Sequence, residues 1–391
     1  MSRHSALGRI LGSFDQSAFF RDHWGRRPLL LLNTERERFD RLFGLPELEE
    51  YLFVARPAAG AVQLVRQGQW PPLGMVKGLF DPDSYDIQAL YNGLASGYTI
   101  VLNAIHTRWP AARRLVTDLE DRLLAVVQTN VYVTGPNAQG FSIHQDEHDV
   151  FVLQTHGAKH WQVYDRPAPG VPLAGATLLH DVDLRQGDML YMPKGFPHAA
   201  ATSGEHSIHV TVGVFPLTWH ELAKQTLDRL AQQDARWAEP VPVPGMGADR
   251  GPAVEDLDAR LREGLAALGD LAPVLESYRL GLNASVRRKN PAPDGYLESI
   301  AGIDALDVHS ELERRPGVGC TVTTDAESVR LHFMGETIRT PPRAAGALQF
   351  IAAHPRFRIA EIDSTLTDDS KLVLVRRLIR EGLLQVARTT S

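Results

Sequence analysis

The stretch GFSIHQDEHDVFVLQTHGAKHWQVYD (140–165) decides how this chain is read. In an extended strand, residues i and i+2 point to the same face. His144 and Asp146 would then aim an imidazole and a carboxylate at one point. His148 shares that face if the strand stays regular, which makes it the main rival ligand. A bulge after Asp146 would remove it. One histidine and one carboxylate are two members of a facial triad, a set that leaves positions on the metal open. A His-X-Asp triplet by itself is weak evidence in a chain with 15 histidines. Its position at the opening of a β-rich run strengthens the reading.

The third ligand should be a histidine from another strand. His198 follows GDMLYMPKGFP (187–197), a turn, a strand and a Pro/Gly loop that return a side chain across a barrel. Mixed nitrogen and oxygen ligands suit iron(II) better than a thiolate set would. A bidentate 2-oxo acid would fill two of the open positions and dioxygen the last. Such a cosubstrate also needs a cation for its far carboxylate. Lys159 lies one strand after the His-X-Asp triplet, and hairpin pairing would return it alongside the metal strand. The alternative is an ordinary solvated lysine. In HSIHVTVGV (206–214), His209, Thr211 and Gly213 share one face, and Ile208, Val210, Val212 and Val214 share the other. The apolar face should pack against an outer layer and the polar face look into a pocket. His209 fits a satisfied core histidine equally well. His156, His160, His180 and His206 read as surface or rim residues.

Outward from this segment, residues 126–216 are a series of short β-rich runs punctuated by Gly, Pro and Asp, the pattern of a barrel or sandwich. Before them the chain is mixed. Ser13 is placed to cap a helix carrying Phe14, Ala18 and Phe19, RRPLLLL (26–32) reads as a buried strand, and YTIVLN (98–103) as another. Helices are expected over 45–54, 85–94 and 111–124. After Pro216, Thr218 and Glu221 form a capping-box signature, with Leu222, Leu227 and Leu230 on one apolar face. A Pro/Gly-rich linker (239–252) precedes a second helical stretch over 253–282. Further on, TVTTDAESVRLHF (321–333) reads as a hairpin turning at 325–326. Helices are expected over 344–353 and 370–381, the second ended by Gly382 and followed by a strand. The division that results is a barrel domain with N-terminal helices (1–216), a helical region suited to dimerisation (217–289) and a winged-helix-like domain (290–391).

Composition narrows the class of protein. The 391 residues are 43% hydrophobic and 23% charged, with a net charge of −6. That is ordinary for a globular protein and argues against nucleic acid as the main partner. Cys320 is the single cysteine, so no intrachain disulfide forms. The N-terminal MSRHSALGRILGSF lacks the pattern of a secretory leader, and the longest apolar runs fall short of a membrane span. The expectation is a cytoplasmic protein with no membrane partner.

Taken together, RDHWGRRPLLLL (21–32), NVYVTGPNAQGFSIHQDEHDVFVLQTHGAKHWQVY (130–164), GDMLYMPKGFPHAA (187–200) and HSIHVTVGVFPLTW (206–219) resemble the JmjC-domain, cupin-type ribosomal oxygenases. That family includes ribosomal-protein arginine and histidine hydroxylases. The resemblance covers 13–219 well and the remainder in outline. It implies an α+β protein built on a double-stranded β-helix with flanking helices. It implies Fe(II), 2-oxoglutarate and O2 as cofactor and cosubstrates. His144, Asp146 and His198 match the iron triad, and Lys159 matches the residue pairing with the far carboxylate of 2-oxoglutarate. Tyr132 matches a tyrosine near that cosubstrate, and Asn103 an asparagine lining the same pocket. Gly213 stands where some relatives carry a cosubstrate-binding serine, a role Thr211 could take over. The implied activity is hydroxylation of an Arg or His side chain of a protein, with a ribosomal protein as the expected partner and a homodimer as the expected assembly. The rival readings are a hydroxylase of another peptide, such as a natural-product precursor, and a metal- or ligand-sensing regulator whose winged helix binds DNA through Arg376, Arg377 and Arg380. Demethylation by the same chemistry is a lesser alternative.

Overall fold

A computed structural model of the chain describes residues 5–55, 59–71, 85–168, 172–240, 251–268, 274–275, 278, 295–315, 318–324, 327–334, 336–362 and 365–387. Two compact units are distinguished by their internal contacts. One is built on Met1–Pro216, the other on Leu217–Pro291, Gly295–Arg314 and Val318–Ser391.

Among the described residues of the first unit, alternating β-branched and polar residues produce ten strands: β1 (Leu29–Leu31), β2 (Val62–Val65), β3 (Thr99–Leu102), β4 (Ala125–Thr134), β5 (Asp149–His156), β6 (Ala158–Tyr164), β7 (Leu178–Arg185), β8 (Met189–Met192), β9 (His198–Ala201) and β10 (Ser207–Pro216). Seven form one antiparallel sheet in the order β1-β8-β5-β10-β4-β3-β2, and three form a second in the order β7-β6-β9. Bridges from Gln139 to Ala201 and from His144 to His198 lay the 139–144 segment along the outer edge of β9. These are antiparallel sheets flanked by helices, consistent with the expected double-stranded β-helix.

The two faces of the large sheet bury different things. Phe151, Leu153, Tyr191, Ile208, Val210, Val212 and Val214 pack outward with Leu7, Ile10, Phe19, Val116 and Leu119 of the N-terminal helices. Val150, Val152, Leu190 and Met192 pack inward with Trp161, Val163 and Leu184 of the smaller sheet. This is the division expected for β10, now extended to its neighbours.

Three local expectations are corrected. Asp15, not Ser13, caps the short helix Gln16–Ala18, through its carboxylate and the N–H groups of Ser17 and Ala18. A carboxylate is the stronger acceptor and sits one residue before the helix. His144 and Asp146 lie in an irregular segment before β5 rather than in a regular strand; their shared direction comes from the bridge to His198. Nor do β5 and β6 pair as a hairpin: they belong to opposite sheets. The turn between them passes through Gly157 at φ +62°, where a β-carbon would lie 1.9 Å from the carbonyl oxygen of His206. Only glycine makes this switch between sheets.

In the second unit, Thr218 caps the helix Trp219–Gln233 by accepting from the Glu221 N–H at 3.1 Å. A longer helix spans Gly251–Leu268. The C-terminal part has helices Tyr296–Ala301, Ala345–Ala353 and Asp368–Arg380, with Gly382 at φ +86° after the last. Among its described residues, six strands form two three-stranded sheets around a separate apolar core. The expected hairpin is two strands of a meander, Cys320–Thr324, Val329–Phe333 and Glu336–Thr340. Its turn at 325–326, most of the 239–252 linker and most of 269–294 lie outside the described residues.

Candidate metal centre

His144, Asp146 and His198 converge. One ligand atom from each lies within 4.8 Å of the other two. The imidazole centres of His144 and His198 are 4.4 Å apart, and His198 Nε2 is 3.7 Å from Asp146 Oδ2. The backbones of the two histidines exchange hydrogen bonds of 3.1 and 2.7 Å. Each ring is also oriented from behind. His144 Nδ1 is 2.9 Å from the Ser142 carbonyl oxygen and His198 Nδ1 3.0 Å from that of Phe196. A carbonyl only accepts, so both Nδ1 atoms carry the proton and both Nε2 lone pairs are free. Burial, and then the neighbouring His144, push His198 down to about 4, against a smaller opposing pull from Asp146. The imidazole is therefore neutral at ordinary pH, as a metal ligand must be.

The three residues stand at one side of a cavity with about 520 Å³ of empty space, part of it open to solvent. Lys159, Tyr132, Thr211 and His209 also line it. Lys159 is buried, and its Nζ donates to Thr134 Oγ1 at 3.0 Å. No carboxylate lies within ion-pair distance of it among the described residues. Burial alone pushes the amine down to about 7. An amine so placed favours an anionic guest, because a buried charge is costly without a counter-charge. Tyr132 stacks on His209, with ring centres 4.9 Å apart and planes 7° from parallel. Burial, with Asp146 nearby, pushes its phenol up to about 12, so it keeps its proton. His209 Nδ1 and Trp161 Nε1 are buried without a hydrogen-bond partner among the described residues. Two nitrogen donors, one carboxylate and a buried amine in one cavity fit a divalent iron together with a dicarboxylic acid.

Other candidates fall elsewhere. The side-chain amide of Asn103 donates to Gln63 Oε1 at 3.1 Å, and Asn103 is not among the residues lining the cavity. It follows directly on β3, which ends at Leu102. His148 packs against Phe215, ring centres 4.6 Å apart, so the rival ligand is drawn off by the bend before β5. A β-carbon at Gly213 would meet that same His148 ring at 3.0 Å rather than the cavity. His160 is exposed between Asp181 and Asp183, at 2.6 and 2.8 Å. Arg376 donates to the Ile303 carbonyl at 3.1 Å, and Arg377 lies 3.8 Å from Glu381, so two of the three arginines offered to DNA have partners within the fold. Thr99, Phe141 and Trp161 line the cavity and were missed. Thr134, the partner of Lys159, was missed too, although Asn130, Tyr132 and Thr134 share one face of β4 by simple alternation.

Residues 105–222 match the family model of the JmjC domain. Over that segment the chain is similar to the JmjC domain, and ribosomal oxygenases are among the proteins it resembles. The bifunctional lysine-specific demethylase and histidyl-hydroxylase NO66 of Aedes aegypti is 28% identical over 212 residues, 50% of this chain and 32% of that protein. Ribosomal oxygenase 1 of Danio rerio is 24% identical, covering 97% of this chain and 78% of its own. The chain spans about a quarter to a third of the length of the insect NO66 proteins it matches. Among solved structures, the Escherichia coli ribosomal oxygenase YcfD superposes with a TM-score of 0.58 at 22% identity, covering 95% of this chain and 98% of that one. Its complex with cobalt and 2-oxoglutarate superposes with a TM-score of 0.56 at 19% identity, covering 95% of this chain and 98% of that one. These two likenesses establish a shared fold.

Proposed function

We propose that this protein is an iron(II)- and 2-oxoglutarate-dependent dioxygenase that hydroxylates an arginine or histidine side chain of a protein, with a ribosomal protein as the leading substrate. The observation that carries this reading is the buried amine of Lys159 in the same cavity as the His144, Asp146 and His198 cluster. Bound iron(II), with 2-oxoglutarate and dioxygen, supplies the oxidation of an unactivated carbon–hydrogen bond, coupled to release of succinate and carbon dioxide. His144 and His198 present their Nε2 lone pairs, and Asp146 adds one negative charge, so three of six positions stay open. Lys159 holds the far carboxylate and so measures the length of the diacid. Tyr132 and Thr211 offer hydroxyl donors along it. Val150, Val152, Met192 and Trp161 exclude water from this end of the cavity. Trp70, exposed and edge-on to Phe141 with ring centres 6.0 Å apart, forms an aromatic rim beside His144 suited to a polypeptide side chain.

The remaining assignments belong to the same proposal. Residues 1–216 form the oxygenase domain, 217–289 serve dimerisation and 290–391 form a winged-helix-like domain, in a cytoplasmic enzyme. Exposed Trp219, Leu227 and Leu257 on the helices after Pro216 support the dimer, which sedimentation of the full chain tests directly. The decisive experiment incubates the protein with iron(II), 2-oxoglutarate and a host lysate. Succinate should form, and mass spectrometry should find peptides one oxygen atom heavier at Arg or His. Turnover with oxidation confined to small peptides would move the substrate to a natural-product precursor. No turnover, with salt-sensitive retention on DNA, would favour the regulator.

A further inference from the structure

The ligand histidine of β9 arrives on a loop, residues 193–197, and that loop is gripped from two sides. On one side the Lys194 N–H donates to Asp149 Oδ1 at 2.8 Å. Asp149 Oδ2 accepts the Tyr191 hydroxyl at 2.5 Å, and the Tyr191 oxygen accepts the Gly25 N–H at 2.8 Å. Asp149 and Tyr191 are both buried. The Tyr191 ring lies parallel to Trp24, 9° between planes and 6.1 Å between centres. On the other side Arg166 Nε donates to the Lys194 carbonyl at 3.0 Å, and its guanidinium sits 4.5 Å from the centre of the Phe196 ring.

The gripped residues are the ones that touch the metal ligands. The Phe196 carbonyl accepts His198 Nδ1–H, and the Gly195 N–H donates to the Asp146 carbonyl at 3.0 Å. A shift of this loop therefore rotates one ligand ring and displaces the backbone of another. Asp149 has no cation within ion-pair distance among the described residues, so the cost of burying it is offset by the two donors it accepts. Those donors join β8, β5 and the N-terminal segment at one point beside the site.

We propose that Asp149 and Arg166 are positioning residues of the metal centre, clamping residues 194–196 so that His198 Nε2 converges with the ligand atoms of His144 and Asp146 on one metal position. The proposal rests on the reading of those three residues as an iron site. It gives the RDHWG segment a role, since Trp24 and Gly25 are the abutment against which Tyr191 holds Asp149. Partners that orient ligands from behind typically change metal affinity by about 10- to 100-fold when removed.

The test titrates the metal-free full-length protein with cobalt(II), follows visible absorption, and records thermal unfolding of each metal-free variant. Asp149→Ala should weaken cobalt binding about tenfold or more. Asp149→Asn keeps an acceptor for the Lys194 N–H and should recover most of that loss. Arg166→Ala, an exposed position, should weaken binding about three- to tenfold with little change in thermal midpoint. Wild-type affinity in a folded Asp149→Ala overturns the proposal. So does a lowered midpoint with unaltered affinity, the mark of a merely structural role. If Asp149→Ala does not fold, Arg166→Ala decides alone, and unchanged affinity there overturns the clamp. Failure of the wild-type protein to bind cobalt at all would sink the iron-site reading itself, an outcome distinct from failure of the clamp.

Discussion

On β5 and β10, Phe151, Leu153, Ile208 and Val210 face an outer layer of apolar side chains, whereas Val152, His209 and Thr211 on the same strands face a cavity shared with Lys159. The buried ionisable group that these strands send to the outer face, Asp149, has both carboxylate oxygens satisfied, by the Lys194 N–H and the Tyr191 hydroxyl. Among the described residues, the inner face keeps Gln154 Oε1 and His209 Nδ1 without partners and leaves an amine with one hydroxyl for company. Each such group costs free energy relative to an apolar replacement. The contrast teaches a division of labour across one layer of backbone: stability comes from the outward side chains, and the inward ones are spent on a guest. Substitutions on the two faces should therefore separate stability from ligand affinity.

The largest expected effect is on the inner face. His198→Ala removes one of the three metal ligands, and iron retention and turnover should vanish together. Dialysis followed by metal analysis, beside a succinate assay, checks it; a variant that kept both would break the comparison at its root. Next comes the outer face. Leu153→Ala should cost about 2–5 kcal/mol of stability, as large-to-small core changes do, while cobalt affinity of the folded protein stays within twofold. Denaturant unfolding and a metal titration read the two quantities separately.

Lys159→Ala belongs to the inner face again. Truncating one partner of a buried charge pair costs about 2–5 kcal/mol, so 2-oxoglutarate affinity should fall about 30-fold or more, with metal binding largely kept. Calorimetry in the presence of manganese(II) and absence of oxygen measures it. Unaltered cosubstrate affinity would remove Lys159 from the site.

The acidity of that amine sharpens the point further. Burial holds Lys159 near 7, below its ordinary 10.5. The unfolded chain therefore binds the extra proton between those values, and the cosubstrate-free protein should gain stability as pH rises from about 7 toward 10.5. The dicarboxylate requires the ammonium form, so its affinity should be flat below about pH 7 and fall by up to about tenfold per unit above it. Calorimetry in buffers of different ionisation enthalpy should show proton uptake approaching one per site near pH 8. No uptake would mean that the amine is already charged in the empty cavity.

Much of this arrangement was legible in the chain because it depends on alternation. Period two places Ile208, Val210, Val212 and Val214 on one side of β10 and His209 and Thr211 on the other; the strand keeps unbroken register with β4 and slips against β5 at Ile208/His209. The convergence of His144 and His198 was legible as a pairing of residue types, but its geometry was not. It depends on a single bridge between an irregular segment and a short strand, which no local pattern announces. The route taken by Lys159 was also hidden. Its path turns on Gly157, whose left-handed backbone sends β6 to the opposite sheet instead of back along β5. Long-range partners such as Thr134 for Lys159 and Gly25 for Tyr191 are set by topology, and neighbouring residues carry no trace of them.

The smallest expected effect falls on Asn103, where the two kinds of evidence differ most. Family resemblance places an asparagine in the cosubstrate pocket, but β3 ends one residue earlier and the Asn103 amide is engaged by Gln63. The neighbouring Ala104 N–H is held by Asn130 Oδ1 at 2.9 Å, which fixes the chain's exit from β3. Removing the amide therefore deletes one half-buried hydrogen bond, worth about 1 kcal/mol of stability, and leaves the cavity lining intact. Asn103→Ala should change 2-oxoglutarate affinity by less than about twofold, whereas Tyr132→Phe, whose ring lines the cavity, should change it more. A loss at Asn103 as large as that at Tyr132 would mean that the end of β3 closes onto the cosubstrate when it binds, and the boundary between the two faces would have to be redrawn there.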